Sequence, residues 1–381
     1  MKFELSEEHK LIRDTVRDFM VNEVAPKVAA YDESGEFPHE NIKKLAELGL
    51  TGMIIPEEYG GAGTDTVSYC LAIEEMARVC PSTAITVSVN TSVFCEPVYR
   101  FGTDALKKNY LVPCARGEAI GGFALTEPGA GSDAGSIKVR AEKKGKDYII
   151  NGAKAWVTNA IVGKYFVVMA VTDPEKGKKG LSAFVVDADS RGFRFGPPEN
   201  KMGIRASKTS QIIFEDCAVP AENLLGGEGM GLQVALGSLE ASRVSVASQA
   251  VGIAQGCLDE AIKYAKEREQ FGKTIAHFQA IQFMIADMAT EIDAARLLTL
   301  RAACLRDRGV TGYGKESSMA KLFASEACNR VAYKALQIHG SYGYSKEYTI
   351  ERLYRDARVV PIYEGTSEVQ RIVISRDLLK A

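Results

Sequence analysis

Two short stretches hold residue types that could do chemistry. The first, Glu127 to Gly135, reads EPGAGSDAG and sets Gly129, Gly131 and Ala134 in the spacing G-x-G-x-x-A. That spacing marks a dinucleotide-binding βαβ turn only when a strand precedes it and a helix opens at the glycines to meet a pyrophosphate. Here Pro128 confines Glu127 to extended backbone and offers no ladder donor. The following SIKVRAEKKGKDYIINGAKAWV alternates Ile137, Val139 and Ala141, then Tyr148 to Ile150, around a KKGKD turn, which is hairpin periodicity. The Rossmann reading therefore fails. A cradle of small residues whose backbone N–H groups approach an anion and a plain surface turn both stay open.

The second stretch is PIYEGTSE, with Glu364 at its centre. Pro361, Ile362 and Tyr363 before it predict apolar surroundings, and desolvation raises a carboxyl toward the pKa of a useful base. Gly365 lets the chain turn sharply after it. On pattern alone a loop glutamate is more often a solvated surface acid. Metal chemistry has no support: the four histidines lie far apart, and no His/Cys cluster of ligand spacing occurs.

Three segments must position these stretches. Residues 1–119 carry helical patterns: Ser6 is a candidate N-cap, with Leu11, Val16, Phe19, Met20 and Val24 on one face, and Ile42, Leu45 and Leu48 form a second stripe closed by Gly49. Residues 120–230 switch to a period of two in YFVVMAV, LSAFVVDA and SQIIFEDCAVP, which predicts a compact antiparallel sheet or small barrel. Residues 231–381 return to long helices with stripes at Ile281, Met284, Ile285, Met288 and Ile292, and at Met319, Leu322, Phe323 and Val331, as in an antiparallel bundle. The fold class is α+β, in the order α, β, α.

Bulk properties exclude several partners. The 47 basic and 49 acidic residues are interspersed, so neither nucleic acid nor an anionic membrane is expected. The charged N-terminus lacks the apolar core of a signal peptide. Eight cysteines without a C-x-x-C pair predict reduced, mostly buried thiols and a cytoplasmic setting.

Four stretches, FALTEPGAGSDAGS (Phe123–Ser136), NGAKAWVTNA (Asn151–Ala160), REQFGKTIAHFQAIQ (Arg268–Gln282) and RDARVVPIYEGTSEVQR (Arg355–Arg371), resemble the acyl-CoA dehydrogenase family in wording, order and separation. The resemblance covers essentially the whole chain and leans to the short-chain (butyryl-CoA) subgroup. It implies FAD as cofactor, an acyl-CoA thioester as substrate, electron transfer flavoprotein as acceptor and a homotetramer. It also implies that Phe123, Leu125 and Thr126 line the flavin ring, that Gly131 and Ser132 approach its pyrophosphate with Ser132 also near the acyl-CoA, and that Trp156 and Thr158 flank the ring. On the residues alone, Trp156 reads as a buried strand residue.

The resemblance further implies that Arg268, Gln279 and the segment Gln337–Ser341, with Gly340 and Ser341, contact the flavin of a neighbouring subunit, and that Thr366 and Glu368 contact the flavin. The family commonly has a second glycine where Ser341 stands. Glu364 is the implied base at Cα, with its own backbone N–H in the oxyanion hole and Gly365 beside the substrate. Glu240 and Arg243 align with a CoA-contacting stretch in which relatives usually have Asp at the first position; a helix-surface ion pair is the competing reading. Isovaleryl-CoA and long-chain members carry the base immediately before the arginine matching Arg243, and here that residue is Ser242. Ala84 stands where glutaryl-CoA members have an arginine, and Thr91 and Ser92 lie in a segment bordering the acyl site. Branched or alicyclic substrates, an enoyl-CoA reductase, an O2-using oxidase and a non-catalytic flavin or acyl-CoA scaffold are the alternatives.

Overall fold

The computed structural model describes residues 4–380. Helix α1 (Glu7–Phe19) begins where the Ser6 hydroxyl accepts the His9 N–H at 3.1 Å, the expected N-cap. Val16, Met20 and Val24 are buried four residues apart, but Leu11 is exposed. Five positions before Val16, it lies roughly 140° around the helix from that ladder. After α2 (Val28–Ser34), α3 (His39–Glu47) buries Ile42 and Leu45; Leu48 falls past its end and is exposed, where Gly49 turns the chain at φ +74°. Then come α4 (Thr66–Val79), α5 (Pro81–Val89), and the short α6 (Glu96–Phe101), α7 (Asp104–Leu106) and α8 (Val112–Ala115). All of α5 and the π-helical turn Asn90–Cys95 after it are buried.

The middle segment contains β1 (Gly121–Ala124), β2 (Arg140–Lys144), β3 (Asp147–Thr158), β4 (Tyr165–Val171), β5 (Leu181–Asp187), β6 (Phe193–Pro198), β7 (Thr209–Pro220) and β8 (Leu224–Leu225). Their order is β6-β7-β3-β2-β4-β5-β8, with β1 also on β4. Most pairs are antiparallel as expected, yet β1 runs parallel to β4 and β2 meets β4 in parallel at Arg140 and Val171. The correction has a simple cause: β1 is followed by the long Leu125–Val139 crossing rather than a tight turn, so no hairpin imposes antiparallel pairing. Strand β4 explains its own apolar run, because Val167 and Met169 pack into one core while Phe166, Val168 and Ala170 pack into another.

The last segment is α9 (Gly231–Glu267), a small hairpin of β9 (Glu269–Gln270) and β10 (Lys273–Thr274), then α10 (Gln279–Asp307), α11 (Gly314–His339), α12 (Thr349–Ala357) and α13 (Ser367–Leu378). Helix α9 lies so close to α4 that a Cβ at Gly252 would stand 2.2 Å from the Glu74 carbonyl oxygen, so glycine is required at that crossing. On α11 the buried face differs from the predicted stripe. Ser317, Ala320, Lys321, Ala324, Ser325, Cys328 and Val331 are buried, while Met319, Leu322 and Phe323 are only partly so. Seven cysteines are buried and Cys304 is exposed, all as free thiols. Among the described residues no helix is long and apolar enough to cross a membrane, and no His/Cys/Asp/Glu group could hold a metal ion.

Candidate active site

The EPGAGSDAG stretch is a closed turn anchored from below. Glu127 and Ala130 exchange backbone hydrogen bonds of 3.0 and 3.1 Å. The buried Glu127 carboxylate accepts the Lys138 and Val139 N–H groups at 2.7 and 2.9 Å and pairs with Lys154 Nζ at 2.8 Å. Lys154 is fully buried on β3; its ammonium also donates to the Leu125 carbonyl at 3.0 Å, and the Ala155 N–H donates to the Thr126 carbonyl at 2.8 Å. Burial pulls Lys154 down to about 8, with Glu127 opposing. The outer side of the turn stays free: Gly129, Gly131 and Ser132 are exposed, and a Cβ on either glycine would meet nothing within 4 Å.

The same two hydrogen bonds from β3 bring Trp156 beside this turn. The pairing of β3 with β7 shifts register between Lys154 and Val157, a bulge that holds Trp156 at φ +58° and leaves it 61% exposed. The buried-strand reading of Trp156 is thereby corrected. Thr158 ends the strand opposite Thr209 and is partly buried.

Glu364 lies in the loop between α12 and α13. Its Oε2 accepts the Ser242 hydroxyl of α9 at 2.6 Å. Burial pushes its carboxyl above the ordinary value, while the Ser242 bond and the charges of Arg243 and Lys321 hold it down. The apolar surroundings expected from its neighbours in sequence are thus only half right, because the tertiary fold adds a hydroxyl and two cations. Glu364 and Gly365 both have left-handed backbone, at φ +56° and +88°. The Gly365 carbonyl accepts from Lys321 Nζ at 2.7 Å and from Gln370 Nε2 at 2.9 Å. Thr366 caps α13 by accepting the Val369 N–H at 3.3 Å, and Glu368 is exposed in its first turn. The two loops share a core: Phe123 of β1 and Tyr363 pack against one cluster of Ile85, Val89, Val93 and Ile204. Thr91 and Ser92 are buried and engaged, Thr91 Oγ1 on the Thr51 carbonyl at 2.8 Å and Ser92 Oγ on the Ser88 carbonyl at 2.6 Å, and Ala84 is fully buried.

Arg243 is buried, donates to Ser318 Oγ at 3.4 Å, and keeps Nε without a partner among the described residues. Among the described residues no ion pair joins it to Glu240, beside whose carboxylate Gly314 leaves no room for a Cβ (2.7 Å), so the surface ion-pair reading is set aside. A buried guanidinium nitrogen with no partner fits an anionic ligand group. Arg268 stacks over the Tyr342 ring at 5.3 Å, with Gln337, Gly340 and Ser341 exposed nearby in sequence and Gln279 exposed at the start of α10. No hydrogen bond ties any of these five to the 123–132 loop within the described residues. The sequence by itself does not single out Lys154, Lys321 or Gln370. Each reads in sequence as an ordinary polar helix or strand residue, and nothing local marks it.

Three matches cover almost the whole chain: the acyl-CoA dehydrogenase N-terminal domain over residues 6–118, the middle domain over 122–217 and the C-terminal domain over 229–379. The fold and the site thus define a class, the flavin-dependent oxidoreductases that act on acyl-CoA thioesters. The chain belongs to the acyl-CoA dehydrogenase family, and its cofactor is FAD. It is 48% identical to the short-chain specific mitochondrial acyl-CoA dehydrogenase of Rattus norvegicus, across 99% of this chain and 92% of the relative. It is 50% identical to the CarC subunit of the caffeyl-CoA reductase–Etf complex of Acetobacterium woodii, across 98% and 99%. The butyryl-CoA dehydrogenase structure from Megasphaera elsdenii superposes with a TM-score of 0.97 at 42% identity and full coverage of both chains. The residues present fit FAD: an open glycine turn, an outward-facing indole and a shared apolar wall lie together.

Proposed function

We propose that the protein desaturates a short-chain acyl-CoA to the trans-2-enoyl-CoA, with Glu364 as the base that takes the Cα proton. The observation that carries this reading is the Glu364 carboxylate, partly buried in a left-handed loop, hydrogen-bonded by Ser242 and flanked by Arg243 and Lys321. Burial favours proton uptake by Glu364, as a base requires, and the Ser242 bond and the charges of Arg243 and Lys321 oppose it. The Glu364 backbone N–H is assigned to the thioester oxygen, where enolate charge develops. FAD, when bound, supplies the two-electron acceptor for the hydride that leaves Cβ.

Phe123, Leu125, Thr126, Gly131, Ser132, Trp156, Thr158, Thr366 and Glu368 are assigned to hold the flavin from one subunit; Ser132, Glu240, Arg243 and Gly365 are assigned to the substrate. Arg268, Gln279, Gln337, Gly340 and Ser341 are assigned to the flavin of a second subunit in a homotetramer. Support comes from the exposed apolar residues of the C-terminal helices and hairpin, including Phe271, Phe283, Tyr333 and Tyr344. Division at 119/120 and 230/231, electron transfer flavoprotein as acceptor and a cytoplasmic setting complete the reading. Anaerobic flavin bleaching by a panel of straight, branched and cyclic acyl-CoAs tests it. Glu364→Gln should lose about 10³-fold or more in rate while keeping FAD, and full bleaching by that variant would refute the base.

A second reading, reduction of an enoyl-CoA, is favoured by the 50% identity to a subunit of a caffeyl-CoA reductase complex. Turnover measured in both directions with an electron-transferring flavoprotein separates the two.

A further inference from the structure

Lys321 is wholly buried on α11 and forms no ion pair within the described residues; its ammonium donates one hydrogen bond there, to the Gly365 carbonyl at 2.7 Å. Burying an ammonium without a carboxylate partner is unfavourable, so a packing role does not account for it. What it grips is the turn that carries the base. Gln370, also fully buried, donates to the same carbonyl at 2.9 Å and to the Glu364 carbonyl at 3.2 Å. A glutamate at φ +56° is strained backbone, and such a conformation persists only where its surroundings over-determine it.

We propose that Lys321 is a positioning residue for the base: with Gln370 it clamps the Glu364–Gly365 turn in its left-handed form and sets a cation beside the carboxylate. The inference rests on Glu364 being the base. Charged groups around the pair come from three elements, Arg243 on α9, Glu326 on α11 and Glu368 on α13. Burial pulls Lys321 down to about 7, with Arg243 adding to that and the three carboxylates opposing it. Charged or neutral, the amine still presents an N–H to the Gly365 carbonyl. Below about 7 it also carries the charge that favours ionised Glu364.

The test uses full-length, FAD-loaded Lys321→Met, with butyryl-CoA as probe and anaerobic stopped-flow flavin reduction as readout. The expected result is a rate at neutral pH about tenfold or more lower, with substrate Kd within about threefold of the parent. The acid limb of the pH profile should move to higher pH, because a cation next to the carboxylate has gone. The thermal midpoint should be unchanged or higher, since a buried unpaired charge is removed. Parent-like rate and pH profile in a folded Lys321→Met protein would overturn the proposal. Should Lys321→Met fail to accumulate, Lys321→Gln keeps a donor without the charge; a parent-like acid limb there overturns it equally. Glu364→Gln separates the two readings. If it reduces flavin at the parental rate, the base assignment itself falls; if it is inactive while Lys321→Met behaves as parent, only the clamp falls.

Discussion

Ser242 Oγ stands 2.6 Å from Glu364 Oε2, a hydrogen bond between residues 122 apart in the chain. It joins the middle of α9 to the loop before α13. An acid grown from either backbone position would reach the same spot.

Removing this bond should weaken the ionised carboxylate. Hydrogen bonds to charged groups contribute about 1.5–3 kcal/mol, so Ser242→Ala should raise the Glu364 pKa further and slow flavin reduction by about tenfold on the acid limb, with much less effect in alkaline buffer. Stopped-flow reduction across pH reads this directly. An unchanged acid limb would mean that Ser242 does not tune the base.

The buried Lys154–Glu127 pair anchors both flanks of the glycine turn. Breaking one side of such a pair costs about 3–5 kcal/mol because the other charge is left buried. Lys154→Met should therefore weaken FAD binding at least tenfold, and adding Glu127→Gln should recover part of the loss. Equal FAD dissociation constants for parent and single variant would contradict the anchoring role.

Trp156 is the sole tryptophan, so its emission reports one place. Exposed beside the turn, it should emit at long wavelength without cofactor and be quenched as FAD is titrated in. Emission indifferent to FAD would place the flavin elsewhere.

Asp356 accepts the Ile204 N–H and is pushed up to about 6 by burial, Arg352 opposing. Its folded pKa lies above the ordinary value of 3.8, so the fold favours the protonated form. That contribution is fully present below about 4 and is lost as pH rises through 6, amounting to about 3 kcal/mol at roughly 1.4 kcal/mol per unit. Asp356→Asn keeps an acceptor for Ile204 without the charge. The stability of the parent relative to this variant should fall between pH 4 and 6 and level off above. Urea midpoints measured across that range test it, and parallel curves would exclude Asp356 as the source.

Much of the framework of the candidate site is legible in the sequence because its signals are local. Ser6 caps α1, the 140–158 hairpin follows its alternation, and Glu364 and the glycine turn lie in loops that their prolines and glycines announce. Residue pattern misplaces Trp156 because a one-residue bulge against β7 reverses the side a strand position faces. The α11 stripe was misread because alanines, serines and Lys321 face the packed side, where close helix approach favours small residues over large apolar ones.

Periodicity, caps and turn residues, all properties of neighbours along the chain, determined the α–β–α order and the failure of the Rossmann form, and the wording of the PIYEGTSE motif singled out Glu364 as the candidate base. Tertiary structure alone decided what surrounds that base. Ser242, Arg243, Lys321 and Gln370 reach it from three helices, and whether a lysine is solvated or buried depends on which distant segments close over it.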